Sequence, residues 1–322
     1  MEKDDKIFIA GHKGMVGSAI LRRLKSKGYD NILTQDKGSL NLVIQSSVQS
    51  YIWSNQPDVI IDAAAMVGGI YANDTYRADF IYNNLQIQNN LINSAHENGV
   101  KKLLFLGSVC IYPKFTDQPI REEYLLRSPL EPTNEPYAIA KIAGIKMCES
   151  YYKQYGENFF SVMPANLYGE NDNFHPENSH VLPALMRRFH EAKEANTSSV
   201  TVWGTGEAMR EFMHVDDLAD GCVHVLENVS ANQIYSQGIS QLNIGTGEEI
   251  SIKDLARLIA NVVGYKGEIK FDLSKPDGTL RRVLDNKRLN DLGWKHKTSL
   301  EEGISDTYNW YKKMESSGGV RK

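Results

Sequence analysis

Cysteine is scarce: Cys110, Cys148 and Cys222 are the only three in 322 residues, and none stands in Cys-x-x-Cys spacing. A disulfide-stapled scaffold, a thiolate metal cage and a dithiol redox pair are thereby set aside, and reduced thiols are expected. Long apolar runs are also missing. The longest, Val59 to Ile70, is too short and too interrupted by glycine to span a bilayer. Met1 to Lys6 is charged and leads straight into a strand-like run, which excludes a secretory leader and points to the cytosol. Neither charge sign dominates: 36 basic and 40 acidic residues are mixed along the chain for a net charge of -4, so no basic stripe argues for nucleic acid. Any anionic ligand must be met locally. No repeat of about 20 to 50 residues recurs, which leaves out solenoids and propellers.

What is present is an ordinary globular composition, 41% apolar and 24% charged, enough to bury a large core unaided. Strand-like runs at Lys6 to Ala10, Asn31 to Thr34, Val59 to Ala63, Lys102 to Gly107 and Phe159 to Pro164 alternate with helical patterns. The helices are predicted at Ser46 to Ser54, Asp79 to Asn98 and Tyr137 to Tyr155, with another opening after Gly14. Such alternation implies an α/β fold, a doubly wound parallel sheet covered on both faces. After Pro164 the texture turns to loops rich in Asn, His, Pro and Gly, then a helix near Val181 to Ala195. The helix Val215 to Glu227 and the strand Leu242 to Ile244 look like a return to the first sheet. The expected division is therefore discontinuous: a Rossmann-like dinucleotide-binding domain over 1–168 with about 213–245, and a smaller substrate lobe over 169–212 and 246–322. Ser316 to Lys322 reads as a frayed tail.

Chemistry concentrates at three places. Gly11-His12-Lys13-Gly14-Met15-Val16-Gly17 lies between first strand and first helix, where a dinucleotide pyrophosphate meets free backbone N–H groups and the positive helix end. Asp36, after the second strand, suits the ribose hydroxyls of NAD, whereas Lys13 and Lys37 favour the extra phosphate of NADP or are plain surface lysines. Tyr137 and Lys141 sit four apart at the start of a helix and share a face. A lysine cation beside the phenol is expected to lower a pKa that begins at about 10, readying the hydroxyl for proton transfer. Ser108 follows the strand Lys102 to Gly107, where its hydroxyl suits a substrate carbonyl oxygen.

Taken with Ala-Met-Val-Gly-Gly-Ile from Ala65, Gly-Ser-Val-Cys-Ile-Tyr-Pro from Gly107 and Glu-Pro-Tyr-Ala-Ile-Ala-Lys from Glu135, these residues carry a family resemblance. Asn-Leu-Tyr-Gly from Asn166, Asp-Asn-Phe-His-Pro from Asp172, Ser-His-Val-Leu-Pro from Ser179, Trp-Gly-Thr-Gly from Trp203 and Met-Arg-Glu-Phe from Met209 extend it nearly end to end. The chain resembles the extended short-chain dehydrogenase/reductases, and among them the GDP-L-fucose synthases. The resemblance implies epimerisation of carbons 3 and 5 of GDP-4-keto-6-deoxy-mannose, reduction of carbon 4 with NADPH, and a homodimer. It makes Cys110 the base, His180 the acid, and Ser108 and Tyr137 the holders of the enolate oxygen, with Lys141 also on the nicotinamide ribose. To the cofactor it further assigns Gly11, Lys13, Gly14, Met15, Val16, Gly17, Lys37, Ala64, Tyr137, Pro164, Asn166, Leu167 and His180. To the GDP-sugar it assigns Arg188, Trp203, Arg210 and Arg282, the last beside Arg281 and so open in register. No metal is implied.

Plainer readings stand beside these. Cys110 suits a small core position and His180 the start of a helix; Cys148 and Cys222 look like core fillers, and His175 and Gly68-Gly69 like structural residues. Lys13 and Lys37 replace the arginines frequent in the family, which weakens a bidentate phosphate grip and loosens the preference for NADP. Related GDP-keto sugars of colitose or 6-deoxyheptose pathways are the nearest rival substrates, and a non-catalytic NADP-binding protein is a rival from another class.

Overall fold

The computed structural model describes residues 1–176, 178–275 and 277–320. Its first half runs β1 (Ile7–Ala10), α1 (Met15–Ser26), β2 (Ile32–Thr34), α2 (Gln45–Asn55), β3 (Val59–Asp62), α3 (Ile70–Thr75), α4 (Arg77–Glu97), β4 (Lys102–Leu106), α5 (Glu135–Tyr155) and β5 (Phe159–Pro164). The strands are nearly unbroken apolar runs because helices cover both of their faces. Then follow β6 (Asn166–Tyr168), α6 (Val181–Glu194), β7 (Ser199–Trp203), β8 (Met209–Arg210), β9 (Phe212–His214), α7 (Val215–Asn228), α8 (Ala231–Tyr235) and β10 (Leu242–Ile244). The chain ends with β11 (Ile250–Ser251), α9 (Ile252–Val263), β12 (Glu268–Asp272), β13 (Arg281–Arg282), α10 (Lys287–Asp291) and α11 (Leu300–Ser316).

Six parallel strands form the main sheet in the order β10-β5-β4-β3-β1-β2. Helices α2, α4 and α5 pack side by side, and α1 packs on α7. The chain moves outward from β1 to β2 and returns to the other side of β1 as β3, so the strand order reverses between β1 and β3. At such a switch point the two loops part and leave a crevice at the carboxyl ends of the strands. The expected return of Val215–Asn228 and Leu242–Ile244 is seen, with β10 pairing β5 through Leu242 and Val162. Among the described residues no helix is long and apolar enough to cross a membrane.

Apolar side chains gather in two clusters. One surrounds the sheet and takes in Met213 to Val229, Leu242 and Ile244; the other joins Tyr168, Phe174, Leu182 to Phe189, Leu255 to Val263 and Ile304 to Tyr311. Two details depart from expectation. Leu284, Leu289 and Trp294 pack with the sheet, because Ile120 donates its N–H to Val283 O and accepts from Asp285 N, tying the late segment to the early one. The supposed tail is ordered as far as Val320: a turn closed by Gly319 N to Met314 O (2.8 Å) carries Val320 back into the second cluster, where it is buried. A single valine among small and charged neighbours leaves no periodic signal for that contact. Arg321 and Lys322, the last two positions of the expected tail, lie outside the described residues.

Candidate active site

The glycine turn is built by two close approaches. Gly11 takes φ +82°, and a Cβ there would also fall 2.7 Å from Ala63 O in the loop after β3. A Cβ on Gly17 would fall 2.2 Å from Gly11 O, so α1 starts directly against the turn. Gly14 differs: it has φ -76°, and a Cβ would meet only Gly11 O at 3.4 Å, ordinary contact. Room above Gly14 at the start of α1 is what a phosphate cradle requires. Met15 and Val16 begin the helix half buried against the sheet core. At the rim, Lys13 Nζ contacts Asp36 Oδ1 at 2.7 Å and His12 Nε2 lies 3.4 Å from the same oxygen. The Lys13 hydrogen bond holds the Asp36 carboxyl below its usual range. Asp36 is therefore neutralised from within the chain, and Lys37 beside it is exposed, a balance that suits an additional phosphate better than bare ribose hydroxyls.

Beyond β4 and β5 the other residues converge. Ser108 follows β4 and accepts from Cys110 N at 3.5 Å, starting a single 3₁₀ turn over Val109–Ile111. Tyr137, in the first turn of α5, is wedged edge-on against Phe80 of α4, with ring centres 6.2 Å apart. Lys141 is 3% exposed and donates to Leu106 O at 2.8 Å. Its Nζ sits 4.6 Å from the Phe105 ring centre and 5.9 Å from that of Tyr137.

One electrostatic expectation is overturned. The Tyr137 phenol lies above its ordinary range, raised first by burial and then by the Cys110 thiol, with only the Ser108 hydrogen bond acting downward. Lys141 does not lower it, because burial weakens the ammonium itself and its hydrogen bond goes to the β4 carbonyl. Tyr137 is accordingly a neutral phenol, a form ready to donate a proton. Burial likewise pushes the Cys110 thiol up, opposed by Ser108, Arg282 and Lys141 in that order. His180 caps the start of α6 without a side-chain capping bond, and desolvation lowers its pKa although it faces solvent.

Hydrogen bonds pin the loops around these residues. Asn84 of α4 accepts from Met66 N (2.8 Å) and donates to Met66 O (3.0 Å), fixing the loop after β3, while Gly69 N donates to Asn178 O at 3.0 Å just before His180. His175 Nδ1 accepts from Asn178 N at 3.1 Å, which fits its structural reading. Ala64 N donates to Asp62 Oδ1 at 3.1 Å; Pro164 ends β5; Asn166 Nδ2 donates to Glu211 O at 2.8 Å; and Leu167 packs half buried on the sheet core. Cys148 and Cys222 are fully buried with raised thiols, that of Cys148 to about 12.

Cations mark the far side. Arg210 and Arg282 stand opposite one another in the β8–β13 pairing, and burial together with the Arg282 charge lowers Arg210 to about 10. Arg188 is spread over α6, donating to Ala184 O at 3.3 Å and Thr201 O at 3.0 Å. No ion pair involves Arg188, Arg210 or Arg282 among the described residues, so all three partly desolvated guanidinium groups keep an uncancelled charge, and Arg282 spends its donors on Val109 O and Pro113 O. Trp203, 64% exposed, carries Lys275 Nζ 5.4 Å from its ring centre.

Two buried acids escaped the sequence reading. Asp62 ends β3 at 0% exposure, pairs in register with Phe105, and is raised to about 6 by burial against the Lys141 charge, with Oδ2 unpartnered. Glu211, 1% exposed, accepts from Thr246 N (2.6 Å) and Gly247 N (2.8 Å) on one oxygen and Leu284 N (2.7 Å) on the other. An acid in an otherwise apolar strand was the available signal for Asp62; Glu211, inside a charged motif, had none.

With this geometry in view, comparison with known proteins is specific. The NAD dependent epimerase/dehydratase family matches residues 7–245. The GDP-L-fucose synthase of Escherichia coli (strain K12) is 55% identical over 310 residues, covering 95% of this chain and 96% of that protein. The putative GDP-L-fucose synthase 2 of Arabidopsis thaliana is 57% identical over 311 residues, covering 97% and 93%. Among solved structures, the GDP-mannoheptose C4 reductase of Campylobacter jejuni with NADP bound superposes with a TM-score of 0.89 at 41% identity, covering 97% of this chain and 99% of that one.

Proposed function

The chain belongs to the NAD dependent epimerase/dehydratase family, and from that premise we propose that it converts GDP-4-keto-6-deoxy-D-mannose to GDP-L-fucose by 3,5-epimerisation and 4-reduction. It is an enzyme of GDP-sugar metabolism that uses NADP. The supporting observation is the meeting of Ser108, Cys110, Tyr137 and Lys141 at the carboxyl end of the sheet, with Arg282 bonded to the turn that carries Cys110.

The 4-keto group acidifies the hydrogens on carbons 3 and 5. Cys110 as thiolate takes such a proton, the C–H electrons pass into the carbonyl, and the hydroxyls of Ser108 and Tyr137 hold the resulting enolate oxygen. His180 returns a proton from the opposite face, inverting the carbon. When bound, the reduced nicotinamide supplies hydride to carbon 4. Tyr137, kept neutral by burial, donates its proton to the oxygen. Residues fitted to hold the dinucleotide are Gly11, Lys13, Gly14, Met15, Val16, Gly17, Lys37, Ala64, Tyr137, Lys141, Pro164, Asn166, Leu167 and His180, and the room above Gly14 agrees with that role. Arg188 and Arg210 receive the GDP diphosphate, Trp203 packs on the nucleotide sugar, and Arg282, expected on the diphosphate, turns its guanidinium to the carbonyls of Val109 and Pro113.

The reading includes a dinucleotide domain over 1–168 and about 213–245, a substrate lobe in the remainder, a cytoplasmic place of work, and a homodimer. The outward faces of α4 and α5 expose Tyr82 and Ile139, which supports pairing through those helices. Purified protein mixed with GDP-4-keto-6-deoxy-D-mannose and NADPH tests the function. Stoichiometric cofactor oxidation with GDP-L-fucose identified by NMR is expected; no turnover with NADPH binding retained would move the substrate to a colitose- or heptose-pathway GDP-keto sugar.

A further inference from the structure

Arg282 was expected on the substrate diphosphate, yet its guanidinium is engaged elsewhere. Nη1 donates to Val109 O at 3.0 Å and Nη2 to Pro113 O at 3.4 Å. Those carbonyls bracket the 3₁₀ turn Val109–Ile111, with Cys110 at its centre. The arginine reaches this turn from β13, a strand paired with β8 and 172 positions along the chain from Cys110 by their numbers 282 and 110. Its own strand is held in place: Arg282 O accepts from Glu211 N at 3.2 Å, and Glu211 is the buried acid that gathers three other backbone N–H groups.

Carbonyl oxygens satisfy the guanidinium's donors without cancelling its charge. No carboxylate makes an ion pair with Arg282 among the described residues, Glu131 acting on it only through its charge, and the group is only partly exposed, so its field is poorly screened. The charged and titratable groups that act on the Cys110 thiol are Arg282 from β13 and Lys141 from α5, with the Tyr137 phenol, also from α5, coupled to it. Of the two cations, Lys141 is buried against the Leu106 carbonyl and Asp62, which leaves Arg282 as the nearer counter-charge in effect.

We propose that Arg282 is a positioning residue for the epimerising base: it clamps the turn that carries Cys110 and supplies the positive charge that sustains its thiolate. The role of Cys110 as base rests on the proposed function, but the clamp and the charge are properties of the free protein. Proton abstraction needs the ionised sulfur, and a thiolate forming in a desolvated turn needs a cation beside it. Epimerisation, which passes through Cys110, then depends on Arg282 more steeply than hydride reduction does.

The test is the pH dependence of Cys110 alkylation by iodoacetamide in the substrate-free, full-length protein, read peptide by peptide by mass spectrometry. Thiolate content sets the rate, while fully buried Cys148 and Cys222 report any loss of fold. Arg282→Gln is expected to move half-maximal labelling upward by about one pH unit and to slow labelling at neutral pH about tenfold. Arg282→Lys keeps the charge but not the fork and should fall between. Superimposed wild-type and Arg282→Gln profiles in folded protein overturn the proposal. Should Cys148 and Cys222 label in the glutamine variant, Arg282→Lys decides in its place, an upward displacement supporting the proposal and an unchanged profile overturning it. Because no sugar is present, failure here is separate from failure of the proposed substrate. With the keto-sugar, deuterium incorporation from solvent at carbons 3 and 5 should be about tenfold lower in Arg282→Gln at neutral pH and stay lower across the plateau between the His180 and Cys110 pKa values.

Discussion

Lys141 donates to the carbonyl oxygen of Leu106 at 2.8 Å, so the lysine of the Tyr-x-x-x-Lys pair is fastened to the end of β4. In the proposed reaction the hydroxyl of Tyr137 is the proton donor of the reduction. Tyr137→Phe should lower kcat for reduction by on the order of a hundredfold or more while NADPH affinity and Tm hold. An unchanged rate removes Tyr137 from the reaction. Lys141→Met should lower both activity and Tm, because Asp62, 0% exposed, would lose the charge that offsets its burial.

The three glycines of the turn should separate. Gly11→Ala strains a φ of +82° and Gly17→Ala drives a Cβ into Gly11 O, so both should cost stability and cofactor binding together. Gly14→Ala meets only ordinary contact. Its Tm should match wild type while NADPH affinity drops, the mark of a position kept clear for phosphate. Equal affinity in Gly14→Ala, measured by fluorescence titration, would place the phosphates elsewhere.

Cofactor discrimination should lie more with Lys13 than with Lys37. Removing Lys13 takes away a cation and also frees the Asp36 carboxylate that it holds at 2.7 Å, adding a repulsion. Lys13→Ala should therefore raise the NADPH Kd more than Lys37→Ala, with NADH affinity little changed in either. A larger loss in Lys37→Ala would reverse the assignment.

Epimerisation should have a broad pH plateau. His180 is pushed below the imidazole value of 6.5 and Cys110 above the thiol value of 9.0. The reacting form needs thiolate and imidazolium, the rarer protonation pair. Below the His180 pKa the imidazolium is complete and further acid only removes thiolate; above the Cys110 pKa the thiolate is complete and further base only removes imidazolium. Deuterium incorporation should therefore stay level between those limits and fall outside them. A sharp optimum near neutrality would contradict these assignments.

Glu211→Gln should destabilise although it conserves shape. One carboxylate oxygen serves Thr246 and Gly247 and the other Leu284, so an amide must point its NH₂ at a backbone N–H. A cost of roughly 3 kcal/mol is expected, lowering Tm by several degrees in calorimetry. A Tm equal to wild type would mean that the contact is dispensable.

Local chemistry was readable from spacing. Gly11, Gly14 and Gly17 mark one turn, Tyr137 and Lys141 share one helical face, and the runs of β1, β3, β4 and β5 declare buried parallel strands. Each pattern lies within a few residues, where backbone geometry alone decides what meets what. Asp62 was not legible as the counter-charge of Lys141, because only the pairing of β3 with β4 brings Asp62 beside Phe105 and the lysine over that ring.

The sequence by itself determined the layered sheet, the glycine turn ahead of α1 and the shared helical face of Tyr137 and Lys141, since periodicity and short spacing act through the nearby chain. Tertiary structure decided their electrostatics. Burial raised Tyr137 where a neighbouring lysine was expected to lower it, and β13 brought the Arg282 guanidinium to the turn of Cys110. Desolvation and charge–charge distance depend on which distant segments share a cavity, and that is set only when the chain has packed.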